Sequence, residues 1–464
     1  MSKKTAASAV FNVIHPHAAG IDVGNSKHYV AVSPDSCAEG ESCVRHFDTF
    51  TCDLLQIADW LAAHHVTTVA LESTGIYWIP LFEVLESRGF EVCLVDTRRL
   101  KSVPGRKSDV KDCQWLQQLH TFGLLHSAFR PNEEICVLRT YLRQREMLIA
   151  NAGQHIQHMQ KALQQMNIKL SNVLSDITGT SGMLIIQAIL DGERNPVKLA
   201  KHRDRRCKNS EETIAKSLVG NWRADHLFEL RQAVELVRFY QQKMADCDRE
   251  IETWLQTITP KQVEQSPLPP KKAKKNPHSP DFDARSLLYR AIGVDLTLIP
   301  GIEANTAMKV IGEIGRDINR WPTVKHFASW LCLCPGNKTS GGRVLNSRTR
   351  SSNNRAATAL RLAAQSLERT KTALGAFFRR IKIRKGAPKA VTATAHKLAQ
   401  LIYFMLKKGE TYVDIGQDAY EQRYQARVVE SVRRYAPIFQ QLGDQFCPNS
   451  HGDGPQRADS VYNG

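Results

Sequence analysis

The stretch Ala18-Ala19-Gly20-Ile21-Asp22-Val23-Gly24 decides how the N-terminal third of this chain reads. It is an apolar run bounded by glycine, the pattern of a buried strand, with one carboxylate in its interior. A lone ionised acid in such a place is costly unless it is paired or holds a cation. Working outward, His28 to Ser33 and Val44 to Phe50 read as two more strands and Leu54 to Ala63 as a helix. Thr68 to Glu72 then reads as a strand, Ile79 to Ser87 as a helix and Phe90 to Val95 as a strand.

Three strands, helix, strand, helix, strand is the order of a ribonuclease H-like domain, and the acids strengthen that reading. Glu72 closes its strand, and Ser73-Thr74-Gly75 turns the chain away at once. Asp109 and Asp112 lie in Lys107-Ser108-Asp109-Val110-Lys111-Asp112, where a helix starts, and their i, i+3 spacing puts both on one face. Capping a helix N-terminus would account for these two acids. It does not account for acids in or at the end of two separate apolar strands. Four carboxylates at one end of a sheet suit Mg²⁺ or Mn²⁺, which take oxygen ligands. Two such ions ~3.5–4 Å apart can stabilise the attacking and leaving oxygens of a phosphodiester reaction.

Composition points the same way. The 464 residues exceed what one hydrophobic core organises, so several domains are expected. The net charge is +17 and the pI about 9.4, which favours an anionic partner. From Lys338 to Glu410 there are 17 Lys or Arg against only Glu368 and Glu410, so the excess is concentrated where phosphate would be met. Eleven cysteines without a CxxC pair suggest reduced thiols. No run of ~18 apolar residues offers a membrane span, and the N-terminus has no export signal. A bacterial cytoplasmic protein, on the nucleoid when active, is expected.

From Leu138 the period changes to a 3-4 spacing through Leu142, Ile149, Ala152, Ile156, Met159, Leu163 and Met166, broken by Arg145. A second seam runs from Leu230 to Ile258. The two helices are expected to pair antiparallel or to dimerise. Gln265 to Asp281 is rich in Pro and Lys and reads as a linker. Beyond it, Leu298-Ile299-Pro300-Gly301-Ile302 before an amphipathic run suggests a helix-hairpin-helix, although any Pro-Gly turn between helices would look alike. Asn337-Lys338-Thr339-Ser340-Gly341-Gly342-Arg343 then sets a serine in a glycine turn among cations. A serine becomes a nucleophile when its proton is removed and the developing charge is stabilised; it can equally be a turn residue. Lys338, Arg343, Arg348, Arg350, Arg355, Arg361, Arg379, Arg380, Lys382, Arg384 and Lys385 are candidates for phosphate contact.

Together Ile21-Asp22-Val23-Gly24-Asn25-Ser26-Lys27, Leu71-Glu72-Ser73-Thr74-Gly75-Ile76-Tyr77-Trp78, the Asp109/Asp112 motif, Leu298-Ile299-Pro300-Gly301-Ile302 and Asn337-Lys338-Thr339-Ser340-Gly341-Gly342 resemble the DEDD-type insertion-sequence transposases, also called bridge-RNA-guided recombinases. The resemblance implies an α/β plus all-α chain. Residues 1–135 would be the RuvC-like domain, 136–260 a coiled coil and 261–285 a linker. Residues 286–410 would be a mainly helical transposase domain; 411–464, which the resemblance does not reach, read from the sequence as a C-terminal helix and disordered tail. It also implies Asp22, Glu72, Asp109 and Asp112 as Mg²⁺ ligands, and Ser340 as a nucleophile that forms a covalent protein–DNA intermediate. The implied partners are donor and target double-stranded DNA, a structured noncoding guide RNA encoded by the same element, and further copies of the chain, dimers assembling into a tetramer with composite active sites. The chain departs from many relatives by reading Arg350-Ser351-Ser352-Asn353-Asn354 after the serine, which leaves Ser351 and Ser352 as rivals. Two other readings are a RuvC-like metal-dependent junction resolvase or nuclease that uses water, and a non-catalytic nucleic-acid binder. The glycine-flanked serine speaks against the first and the complete acid set against the second.

Overall fold

The structure, a computed structural model, describes residues 12–95, 108–261, 267–268 and 278–446. Most of the Pro/Lys-rich linker and the polar end from Pro448 lie outside these residues. The chain divides into two compact units, one ending at Arg130 and the other beginning at Pro131.

The first unit runs β1 (Ala18–Val23), β2 (Lys27–Ala31), β3 (Val44–Asp48), α1 (Thr51–Ala63), β4 (Thr68–Glu72), α2 (Trp78–Ser87), β5 (Glu91–Val95) and α3 (Asp109–Thr121). The sheet order is β3-β2-β1-β4-β5, antiparallel among the first three strands and parallel from β1 to β4 to β5. This is the ribonuclease H-like arrangement that the element order implied. The parallel pairs need crossovers, and α1 and α2 supply them. On α1, Leu54, Ile57, Ala58 and Leu61 make a buried stripe at helical spacing. They pack with Ile21, Val23, Val69, Leu71, Leu81 and Leu85 into one core. Each such Leu or Ile contributes about 1.5–3 kcal/mol by leaving water. The other sheet face carries α3, with Leu116 against Ala70 and Val95. Cys37 and Cys43 are disulfide-paired in the connection that folds β3 back beside β2, which corrects the expectation of reduced thiols for these two. The other described cysteines are free.

The second unit begins with α4 (Glu133–Gln165) and, after a helical cap, returns along α9 (Ala224–Thr257). The cap consists of α5 (Leu170–Val173), α6 (Thr180–Leu190), α7 (Pro196–Ala200) and α8 (Glu211–Ser217). The two long helices form an antiparallel hairpin within the chain: Trp254 Nε1 donates to the Glu134 carbonyl at 2.9 Å, and His155 stacks on Tyr240. The polar break in the first seam, Arg145, is answered by Asp248, with a two-pronged ion pair at 2.5 and 3.1 Å. Cap and hairpin share a core that includes Met159, Leu163, Ile185, Ile189, Leu230 and Val234.

The helices that follow are α10 (Ala284–Ile292), α11 (Ala304–Ile314), α12 (Val324–Trp330), α13 (Arg355–Ser366), α14 (Ala373–Lys385), α15 (Ala387–Lys408) and α16 (Gly416–Phe446), with a β6 (Lys338–Ser340) to β7 (Arg343–Asn346) ribbon between α12 and α13. They share a unit with the hairpin because α11 packs on α4. Arg139 donates to the Gly312 and Glu313 carbonyls, and Arg143 forks onto the Glu313 carboxylate at 2.9 Å. No helix among the described residues is long and apolar enough to cross a membrane.

Candidate active site

Asp22 is the fifth residue of β1, and Glu72 the last of β4. The parallel register pairs Ile21 with Leu71, so the next two residues, Asp22 and Glu72, stand opposite each other with side chains on the same sheet face. That face is the one α3 covers. Period-two alternation puts Gly20 on it as well, and a Cβ there would lie 2.3 Å from the Gln117 nitrogen and 2.4 Å from the Cys113 oxygen. Glycine therefore lets α3 lie directly on β1. The first turn of α3 carries Asp109, one turn before Cys113, and Asp112, next to it.

The electrostatics of Asp22 couple it to the other three acids. The Asp22 carboxyl is pushed up to about 8, first by burial, then by its hydrogen bond with Glu72, and then by the negative charges of Glu72, Asp109 and Asp112. Burial, with Asp22 next, likewise pushes the Cys113 thiol up to about 12, so this cysteine is an inert packing residue. Thr74 Oγ1 donates to Glu72 Oε1 at 2.9 Å and fixes that carboxylate at the strand end. At the far end of α3, His120 meets Thr68 Oγ1 at 2.8 Å and stacks on His15. Among the described residues, no three His, Cys, Asp or Glu side chains form a ready-made metal cage. The sequence signals for Gly20 and Thr74 were present, as a glycine within an apolar strand and a threonine after the acid, but only the packing gives them their roles.

In the second unit Ser340 pairs with Arg343 across a two-residue turn, Gly341-Gly342, with φ of +52° and +75°. Positive φ at both central positions is the hairpin turn that follows strand twist, and it favours Gly or Asn. The ribbon is tied at its base by Gly336 N donating to the Arg348 carbonyl at 2.9 Å, and by Arg350 reaching the Ser329 carbonyl and hydroxyl. Ser340, Arg343 and Arg348 are exposed. Of the rival serines, Ser352 Oγ accepts from Asn354 N at 3.0 Å beside the α13 cap, while Ser351 is exposed.

The other cations divide by contact. Arg355 pairs with Glu146 on α4 and Lys382 with Glu368. Arg361 reaches the Cys332 carbonyl at 3.5 Å. Arg379 donates to the Glu368 and Thr370 carbonyls at 2.8 Å, and the Arg380 guanidinium lies 3.4 Å from the Tyr424 ring centre. These last two hold the fold together, and Phe378 beside them is core. Arg384 and Lys385 are exposed at the end of α14. Lys338 opens β6. The stretch suggested as a helix-hairpin-helix is α10, a connection with a 3-10 turn at Leu296–Leu298, and α11, with Gly301 at φ +84° where a Cβ would lie 2.9 Å from the Ala363 carbonyl oxygen of α13.

Two family profiles match the sequence over these elements. The DEDD-type IS110 transposase profile covers residues 19–168, from β1 through α4. The chain is a transposase of the IS116/IS110/IS902 family. The profile of that name matches residues 295–379, which hold α11, the serine ribbon and the start of the basic helices. No curated protein matches this transposase. As a member of the family it acts on DNA and catalyses strand transfer.

Proposed function

We propose that this transposase cuts and exchanges DNA strands through a Ser340-linked intermediate, assisted by Mg²⁺ at Asp22, Glu72, Asp109 and Asp112. The observation that carries the metal assignment is the placement of Asp22 and Glu72 on the sheet face that α3 covers, with Asp109 and Asp112 in the first turn of that helix; burial and the other acids raise the proton affinity of Asp22 accordingly. An all-oxygen donor set that repels itself is what a hard dication neutralises. When bound, the cation stabilises negative charge on the reacting phosphate. The protein's own part is to hold Glu72 through Thr74 and to fix Asp109 and Asp112 by the seating of α3.

Ser340 supports the nucleophile role by its place at the tip of a tied ribbon. In the step, the Oγ–P bond forms as a bridging P–O bond of the strand breaks. The Oγ proton is released, and the departing strand-end oxygen takes one up. An incoming strand's hydroxyl then attacks the same phosphorus, frees Ser340 Oγ and restores a diester with the bond count unchanged. Phosphate contacts position DNA without reading it. A structured RNA from the same element would supply sequence by base pairing, and copies of the chain would assemble as dimers and then a tetramer.

Cleavage of element-junction DNA by the purified protein, with and without that RNA and with Mg²⁺ or EDTA, tests the reading. Product formed only with RNA and Mg²⁺ supports it. RNA-independent cleavage contradicts the guide, and cleavage in EDTA contradicts the metal.

A further inference from the structure

The segment between the two profile-matched regions, residues 169–294, holds all four helices of the cap. Within it, Lys198 to Lys208 has six Lys or Arg against one acid, Asp204. The stretch ends α7 and forms most of the connection to α8, and it is built rather than loose. Arg203 braces it by donating to the Cys207 and Asn209 carbonyls, both at 2.7 Å, and Asp204 N donates to Ser181 Oγ at 2.8 Å. Asp204 is itself neutralised by a forked pair with Arg206. Lys198 pairs with Glu193 at 3.7 Å, which leaves Lys201, Arg205 and Lys208 exposed, with no partner side chain among the described residues. Lys208 also lines a cavity of about 590 Å³ together with Arg206, Asn209, Ser175 and Asp176.

Like charges held this densely on a fixed loop repel one another, and a polyanion relieves that. We propose that this loop is a second docking surface for the phosphate backbone of duplex DNA, outside both profile-matched regions. DNA is favoured over RNA because DNA is the family's substrate, and apart from His202 the loop offers no ring on which an unpaired base could stack. Contacts of this kind hold flanking duplex without reading its sequence.

The test is binding of full-length protein to labelled duplex and to structured RNA across a salt series. Wild type is compared with Lys201→Ala/Arg205→Ala/Lys208→Ala and with the charge-keeping Lys201→Arg/Arg205→Lys/Lys208→Arg. For duplex, the alanine variant is expected to lose on the order of 10- to 100-fold in affinity near physiological salt, and the slope of log K against log salt to shrink by about 3. The charge-keeping variant is expected to bind as wild type, which separates charge from damage to the loop. Unchanged duplex affinity and slope in the alanine variant would overturn the proposal. So would a loss confined to RNA, or an equal loss in the charge-keeping variant.

Discussion

Gly20 on β1 lies against Gln117 on α3 so closely that a Cβ would stand 2.3 Å from the Gln117 backbone nitrogen. This contact seats α3 on the sheet and delivers Asp109 and Asp112 to the side of Asp22. Gly20→Ala is therefore expected to push α3 off β1 at a cost of about 1–3 kcal/mol, the range for an overpacked core. It should also reduce strand transfer more than the stability loss explains. Urea denaturation alongside a transfer assay checks both; wild-type stability would show that the close approach is not needed.

The buried Arg145–Asp248 pair joins the hairpin helices. Arg145→Ala leaves Asp248 buried without its cation, with only the Asp281 N–H still donating to it, and is expected to cost about 3–5 kcal/mol. The double replacement Arg145→Met/Asp248→Leu should recover most of this, because it removes both charges. Chemical denaturation of the three proteins measures the difference, and a double variant as weak as the single one would contradict it.

Stability of the first unit should depend on pH through Asp22. Its carboxyl ionises near 3.8 when unfolded and at about 8 when folded, so the folded state binds the extra proton between these values. The resulting stabilisation is complete below pH 3.8 and is lost as pH rises through 8. Asp22→Asn should flatten that dependence. Added Mg²⁺ should raise the melting temperature of wild type at pH 8 and have much less effect on the variant. Equal pH profiles for the two proteins would contradict the coupling of the four acids.

The Gly341-Gly342 turn should tolerate only residues at ease with positive φ. Gly341→Asn is expected to keep near wild-type strand transfer, since Asn-Gly makes the same turn. Gly341→Val should lower it severalfold while leaving the melting temperature within a degree or two, because the ribbon is exposed. Comparable activity of the two variants would show that the turn does not position Ser340.

The sheet and its acids were legible because each signal is local: strand length, period-two or continuous apolarity, and an acid in or at the end of a strand. The hairpin was legible in its seams, and Arg145 announced a partner that only packing could name as Asp248. What sequence could not separate was a cation for phosphate from a cation for the fold. Arg379 and Arg384 look equivalent along the chain, yet one is locked onto the Glu368 and Thr370 carbonyls while the other is exposed. The cap was equally opaque: its short helices have little periodicity of their own, and its core is completed by the long helices on either side.

The most direct measurement is a denaturing gel for covalent protein–DNA adduct, using wild type, Ser340→Ala and Asp22→Asn with labelled element-junction DNA, Mg²⁺ and the element's RNA. A shifted, protease-sensitive band is expected in wild type and absent from both variants. Strand cleavage that persists in Ser340→Ala without any adduct, and is lost in Asp22→Asn, would instead mean hydrolysis by water and contradict the serine mechanism.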